Sequence, residues 1–164
     1  MLVLTTAVPN IADATENLAM QTTRAMVRQK FPTVTQISTA ELAGRLDDPT
    51  SAPLLLDVRE PGEFEVSHLQ GAYRASDLQS ALALLEDTPQ GQHIVVYCSV
   101  GYRSSKLATE LIAAGYDNVQ NLEGSIFSWA NEGRPLYRDN SPVHQVHPYN
   151  WFWGRLLKPE LRRR

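Results

Sequence analysis

The sequence predicts an α/β domain built on a mainly parallel sheet with helices on both faces, extended at each end. Two patterns predict it. The runs "PLLLDV" and "HIVVYC" are short, apolar and bounded by turn residues, the composition of strands buried on both faces. Along the rest of the chain, strand-like and helix-like segments alternate, the order that produces parallel crossovers. Size agrees: 164 residues, 43% hydrophobic and 20% charged, suit one domain with extensions and a core that needs no staples.

The elements follow in chain order. "NIADATENLAMQTTRAMVRQKFP" reads as one helix over about residues 10–31, with Ile11, Leu18, Ala25 and Met26 along its apolar stripe and Pro32 at its end. "VTQIS" is a short strand. Ser38, with Glu41 three residues on, is a capping box opening a helix through "STAELAGRL". "DDPTSAP" is a loop leading into the strand "PLLLDV". "PGEFEVSHL" is a short helix after Pro61, "GAYRAS" a brief strand, and "SDLQSALALLED" a helix with Ser76 as its cap. The strand "HIVVYC" then precedes the helix "SSKLATELIAAG", which stops at Gly115. "NVQNLEG" and "SIFSWANEG" are the last strand and helix, and Gly133 ends the latter. The expected organisation is an N-terminal helical extension (1–33), the α/β domain (34–137) and an aromatic, basic tail (138–164).

Composition narrows the function classes. Cys98 is the only cysteine, so the chain holds no internal disulfide and no multi-thiolate zinc site. His144 and His147 form H-x-x-H without a matching third ligand, and no metal is expected. The opening "MLVLTTAVPN" has no basic residue before its apolar stretch and makes a poor signal peptide. No run approaches the roughly 20 apolar residues of a membrane span. A cytoplasmic location is expected, with a peripheral place on an intracellular membrane as the alternative, and no nucleic-acid partner. The formal net charge of −3 conceals a basic end: "RLLKPELRRR" sets five basic side chains against Glu160.

The stretch "YCSVGYRSS" carries the chemistry. Functional groups of parallel sheets gather at the carboxyl ends of strands, where Cys98 and Asp57 both fall. If a helix begins near Arg103, backbone N–H groups from Ser99 to Ser104 can wrap around the sulfur with a helix N-terminus behind them. Such a cradle lowers a thiol's pKa. Gly101 frees the turn, and Arg103 adds a fixed charge with a planar fork of donors. Taken alone, the pattern reads equally as an activated nucleophile and as a small buried hydrophobe at a strand end.

At this point the chain resembles the single-domain rhodaneses, a family of sulfurtransferases, from about Val34 to Leu136. "LLLDVREPGEFEVSHLQGA" is similar to the family's strand, acidic turn and short helix, with Asp57, Arg59, Glu60, Glu63, Phe64, His68 and Gly71 in order. "VVYCSVGYRSSKLATELIAAGY" is similar to its active-site loop, C-x-x-G-x-R-S, and the helix behind it. "NLEGSIFSWANEGRPL" is similar to its closing strand and helix, with Gly124, Trp129 and Pro135. The resemblance implies a central five-stranded sheet, a persulfide on Cys98 filled from a donor such as thiosulfate, and an acceptor that is a thiol or protein cysteine. It implies no cofactor. Ser99, Val100, Gly101, Tyr102, Arg103 and Ser104 would be the substrate-binding loop, with Val100 and Tyr102 on its outer rim and Asp57 and Arg59 in support. Asp57 would accept hydrogen bonds from loop amides or Arg103, or merely cap its strand. His68 would stabilise its turn. Related phosphatases and arsenate reductases use a longer C-x5-R loop; Cys98 to Arg103 is C-x4-R, better suited to one sulfur atom. A rhodanese-like binding module without catalysis is the other alternative, although such modules commonly lack the cysteine.

The ends depart from the minimal family pattern. Trp151, Phe152 and Trp153, then Leu156 and Leu157, are expected to pack on the body against the N-terminal helix, each extension covering the other. The tail would then supply stability, since the strands and loop of the site lie before Leu136. The alternative is contact with a membrane surface or a protein through residues 149–164.

Overall fold

In the computed structural model, which describes residues 11–89 and 91–163 with side chains from Leu18 onward, five strands form one parallel sheet. They are β1 (Thr35–Ile37), β2 (Leu54–Asp57), β3 (Tyr73–Arg74), β4 (Ile94–Tyr97) and β5 (Val119–Leu122), in the order β1-β5-β4-β2-β3. The two apolar runs of the sequence are β2 and β4. They are neighbours in the sheet, with Asp57 opposite Tyr97, so the carboxyl ends that carry Asp57 and Cys98 lie side by side. Alternation along β4 builds two cores. Val95 and Tyr97 enter one cluster with Leu55, Leu122, Phe127 and Trp129. Ile94, Val96 and Cys98 enter the other with Leu56, Leu107 and Leu111.

Among the described residues, seven helices accompany the sheet: α1 (Ile11–Lys30), α2 (Thr39–Leu46), α3 (Pro61–Val66), α4 (Leu78–Leu85), α5 (Tyr102–Ala113), α6 (Ser125–Asn131) and the single turn α7 (Trp151–Gly154). Among the described residues, no helix is long and apolar enough to cross a membrane. The Ser38 hydroxyl accepts from the Glu41 N–H as expected, but the Glu41 carboxylate turns to Arg45. The cap of α4 is Asp77, not Ser76. The Asp77 carboxylate accepts from the Ser80 N–H at 2.8 Å while the Ser80 hydroxyl accepts from the Asp77 N–H. A second reciprocal box, between Glu60 and Glu63, opens α3.

The face by which α1 docks differs from the expected stripe. Met20, Thr23 and Val27 are buried, whereas Leu18 is 63% and Met26 41% exposed. Ala25 is exposed as well. The side chain of Ile11 and the whole of "MLVLTTAVPN" lie outside the described residues. The docking face is partly polar, which hid it from a hydrophobic count. The Thr23 hydroxyl satisfies itself on Ala19 O at 2.9 Å, and Arg24 reaches across to donate to Ser128 Oγ at 2.7 Å.

The chain after α6 is ordered by the body. A hairpin, β6 (Leu136–Arg138) and β7 (Ser141–Val143), follows it, and Tyr137 forms a bridge with His68. Beyond α7, a 3-10 turn spans Pro159–Leu161. Val146, Leu156 and Leu157 are buried in the same cluster as Met20 of α1. The side chain of Asn131 pins this segment, donating to Leu156 O at 2.7 Å and accepting from the Lys158 N–H at 2.9 Å. The aromatic triplet does not bury as a unit. Trp153 is half-buried, while Trp151 stays 79% and Phe152 62% exposed. A one-turn helix cannot point three consecutive side chains inward.

Candidate active site

Cys98 follows the last residue of β4, and two groups of α6 hold its backbone. Its N–H donates to Ser125 Oγ at 3.1 Å, and its carbonyl accepts from the Ile126 N–H at 3.2 Å. The Phe127 N–H likewise takes the carbonyl of Ser99 at 3.1 Å. The first turn of α6 therefore clamps the loop by its otherwise orphaned amides. To present them, Ser125 is held at φ +51°. Gly124 before it sits at φ +69°, where a Cβ would stand 2.0 Å from Ser128 Oγ.

The loop turns directly into α5. Gly101, at φ +110°, is its N-cap and donates its N–H to Cys98 Sγ at 3.1 Å. The Ser104 amide and hydroxyl also face the sulfur. The single Ser104 hydroxyl proton has a second claimant, Asn121 Oδ1 at 2.6 Å. Burial pushes the Cys98 thiol up, but the Arg103 charge and the hydrogen bonds from Ser104 and Gly101 outweigh it and hold the thiol below its ordinary value. The sulfur is thus buried and still biased toward thiolate.

Arg103 is locked in place by Glu63. Its two terminal nitrogens donate to the two Glu63 oxygens, each at 2.8 Å, and Nη2 also donates to Ser99 Oγ at 3.0 Å. The Ser99 hydroxyl in turn donates to Glu63 Oε1 at 3.0 Å. Burial pushes the Glu63 carboxyl up, yet the Arg103 guanidinium outweighs it and holds the group below the usual carboxylate range. The fork-to-fork pair fixes the plane of the guanidinium beside the loop.

Glu63 was not among the site residues expected from the loop sequence. It is buried, it caps α3, and it anchors Arg103 from 40 positions away. Its trace in the sequence was its place in the motif "LLLDVREPGEFEVSHLQGA", which the loop itself does not contain.

Asp57 does not reach the loop amides or Arg103. Its carboxylate takes the Arg59 N–H at 3.0 Å and the Arg59 guanidinium, with Nη2 at 2.6 Å. Arg59 also donates to Ser67 O at 2.6 Å and lies 5.8 Å from the centre of the Tyr97 ring. Both partners are fully buried. The pair ties the end of β2 to the turn after α3 and so holds the helix that carries Glu63. His68 stacks on Phe64 at 4.0 Å, with Nδ1 3.1 Å from Phe64 O, in the same turn. Val100, expected on the rim, is 6% exposed and belongs to the core below the sheet edge. Tyr102 is at the rim, 41% exposed, and meets Phe31 edge-on at 5.2 Å.

The mouth of the site is a cavity of about 120 Å3. Cys98, Ser99, Val100, Tyr102 and Arg103 line it from the loop, and Tyr149 and Trp153 line it from the tail. The Tyr149 ring lies 4.6 Å from the Arg103 guanidinium. The strands and the loop of the site lie before Leu136, and the tail adds part of its wall. Among the described residues, no group of three or more metal-ligating side chains gathers anywhere.

Comparison with known proteins agrees with this architecture. No protein with a curated description matches the chain. Solved structures do. A rhodanese-related protein from Thermoplasma volcanium is 26% identical, with a TM-score of 0.53 over 63% of this chain and 97% of its own. Thiosulfate sulfurtransferase from Pseudomonas aeruginosa, 20% identical, superposes with a TM-score of 0.61 over 80% of this chain but 24% of its own. A Rhodopseudomonas palustris protein of unknown function, described as a possible tyrosine phosphatase, is 18% identical, with a TM-score of 0.58 over 84% of this chain and 99% of its own. The last two share the fold and carry no further inference. The model of the rhodanese-like domain matches residues 38–132, which hold β2, β4, α5, α6 and the whole Cys98 loop. The chain belongs to the rhodanese-like domain family.

Proposed function

We propose that the protein is a sulfurtransferase that carries a sulfane sulfur as a persulfide on Cys98. The observation that supports this most is the environment of the sulfur: a buried thiol held below its ordinary pKa by Arg103 and by the Gly101 and Ser104 hydrogen bonds. The Cys98 thiolate attacks the outer sulfur of thiosulfate. The sulfur–sulfur bond of the donor breaks, and sulfite leaves with its electron pair, so Cys98 becomes a persulfide anion. A thiophile, cyanide or a thiolate, then attacks the terminal sulfur and forms thiocyanate or a new persulfide. The Cys98 thiolate departs as the leaving group, and no proton or oxidant is needed. The same donors that stabilise the thiolate are aimed at the anion in both steps, which is electrostatic stabilisation of the oxyanion-hole type. Storage on the enzyme gives ping-pong kinetics.

The C-x4-R loop is one residue shorter than the C-x5-R loop of the related phosphatases and suits a single sulfur atom better than a tetrahedral oxyanion. Mass spectrometry of the intact chain after thiosulfate treatment tests the proposal. A gain of about 32 Da, one sulfur atom, that cyanide removes and Cys98→Ser abolishes is expected. An unchanged mass across several donors points to a binding module. Turnover of an aryl phosphate without sulfur transfer points to a phosphatase.

A further inference from the structure

The two tail residues at the Cys98 cavity are each positioned by local backbone contacts. Tyr149 sits at φ +62°, a conformation uncommon for a bulky side chain. Its N–H donates to His147 Nδ1 at 3.0 Å. Next to it, Asn150 caps α7: its N–H donates to Pro148 O at 2.8 Å, and its side chain accepts from the Trp153 N–H at 3.0 Å. Gly154 closes the turn against Pro148, where a Cβ would stand 2.7 Å from the proline ring. Trp153 packs against the cluster that holds Leu156 and Leu157. The backbone conformation at Tyr149 sets its ring over Arg103, at 4.6 Å, and Trp153 lines the same opening. A conformation of this kind persists only where the surroundings impose it, and it collects where a side chain must be placed.

The cavity left between loop and tail is small, about 120 Å3. Its cation is already matched by Glu63, so the room available, more than net charge, decides what enters. We propose that Tyr149 and Trp153 are specificity-determining residues of this site: they confine Cys98 to compact sulfur donors and acceptors of a few heavy atoms and exclude persulfides and thiols borne on peptides. As a statement about sulfur substrates this rests on the transferase reading; as a statement about access to Cys98 it does not.

The test uses the full chain and its single cysteine. Cys98 is alkylated with iodoacetamide and with an iodoacetamide carrying a pyrene group. The reactive carbon is the same, so any change in thiolate reactivity cancels in the ratio of the two rates. Tyr149→Ala is expected to raise the pyrene-to-iodoacetamide ratio about tenfold, the scale of a steric pocket contact. Trp153→Leu, which keeps an apolar group for the core, is expected to move it the same way. A ratio unchanged within about twofold in both variants overturns the proposal.

A second arm compares kcat/KM for thiosulfate with that for glutathione persulfide. A shift in Tyr149→Ala toward the peptide donor by a similar factor supports the wall as a filter for sulfur substrates. Equal preference in wild type and variant overturns it. If the alkylation ratio moves but the wild type accepts sulfur from neither donor, the access filter stands and the transferase reading fails.

Discussion

Arg103 is the main charge beside Cys98. Its charge is the largest of the influences that pull the thiol down against burial. The alkylation rate of Cys98 should therefore rise with pH through a midpoint below the ordinary value of about 8.5. A folded pKa depressed in this way also fixes the sign of the linkage. The stabilisation of the thiolate is fully present above the unfolded value of about 8.5 and is lost as pH falls through the folded one. Arg103→Ala should move the alkylation midpoint up and slow reaction at pH 7 by about tenfold, the equivalent of one pH unit. A stopped-flow titration of the two proteins reads both. A wild-type midpoint at or above the free value would remove the amide and arginine cradle as the activating device.

The buried Asp57–Arg59 pair acts on the elements rather than on the sulfur. It joins the end of β2 to the turn after α3, and α3 carries the Glu63 that holds Arg103. Removing one partner leaves an uncompensated charge in a fully buried place. Arg59→Ala should cost about 3–5 kcal/mol in urea unfolding, a large part of the stability of a domain this size. Because the loss passes through folding, the fraction that remains folded should take sulfur at a rate closer to wild type than folded Arg103→Ala does. Equal stability of Arg59→Ala and wild type would refute the linking role. The same logic explains why Glu63 escaped a reading of the loop alone. A glutamate three residues into a helix is accounted for by its cap, and only the packing of α3 beside the loop joins that cap to Arg103.

For the whole molecule, the tail meets the body through Leu156 and Leu157, as expected, while Trp151 and Phe152 stay exposed. Leu157 is fully buried in the cluster that also holds Met20 of α1, so Leu157→Ala should cost about 2–5 kcal/mol. Trp151 is 79% exposed with the Arg155 guanidinium 5.3 Å from its ring. Trp151→Ser should change stability by no more than about 0.5 kcal/mol. Thermal unfolding of the two variants separates these outcomes. A Trp151→Ser loss as large as that of Leu157→Ala would mean that the tail rests on its most exposed aromatic.

Local chemistry alone determined much of this protein. Two apolar runs specified the central strands, because strands covered on both faces need no polar alternation. The spacing of Cys98, Gly101 and Arg103 specified a loop at the end of β4, because a strand-to-helix turn needs a residue free to take φ +110° and leaves amides pointing at whatever precedes it. Tertiary structure decided the rest, wherever a role depends on a partner distant in sequence. Asp57 chose Arg59 over Arg103, and Asp77 displaced Ser76 as a cap. The helix α1 buried Thr23 beside Met20 and Val27 and turned Leu18 and Met26 outward, because the Thr23 hydroxyl found a bond on Ala19 O that a hydrophobic pattern cannot foresee. Tyr149 and Trp153 reached the mouth of the Cys98 site only because Asn131 and the core beneath α6 fold the tail back. Proximity created by packing leaves no period or spacing along the chain.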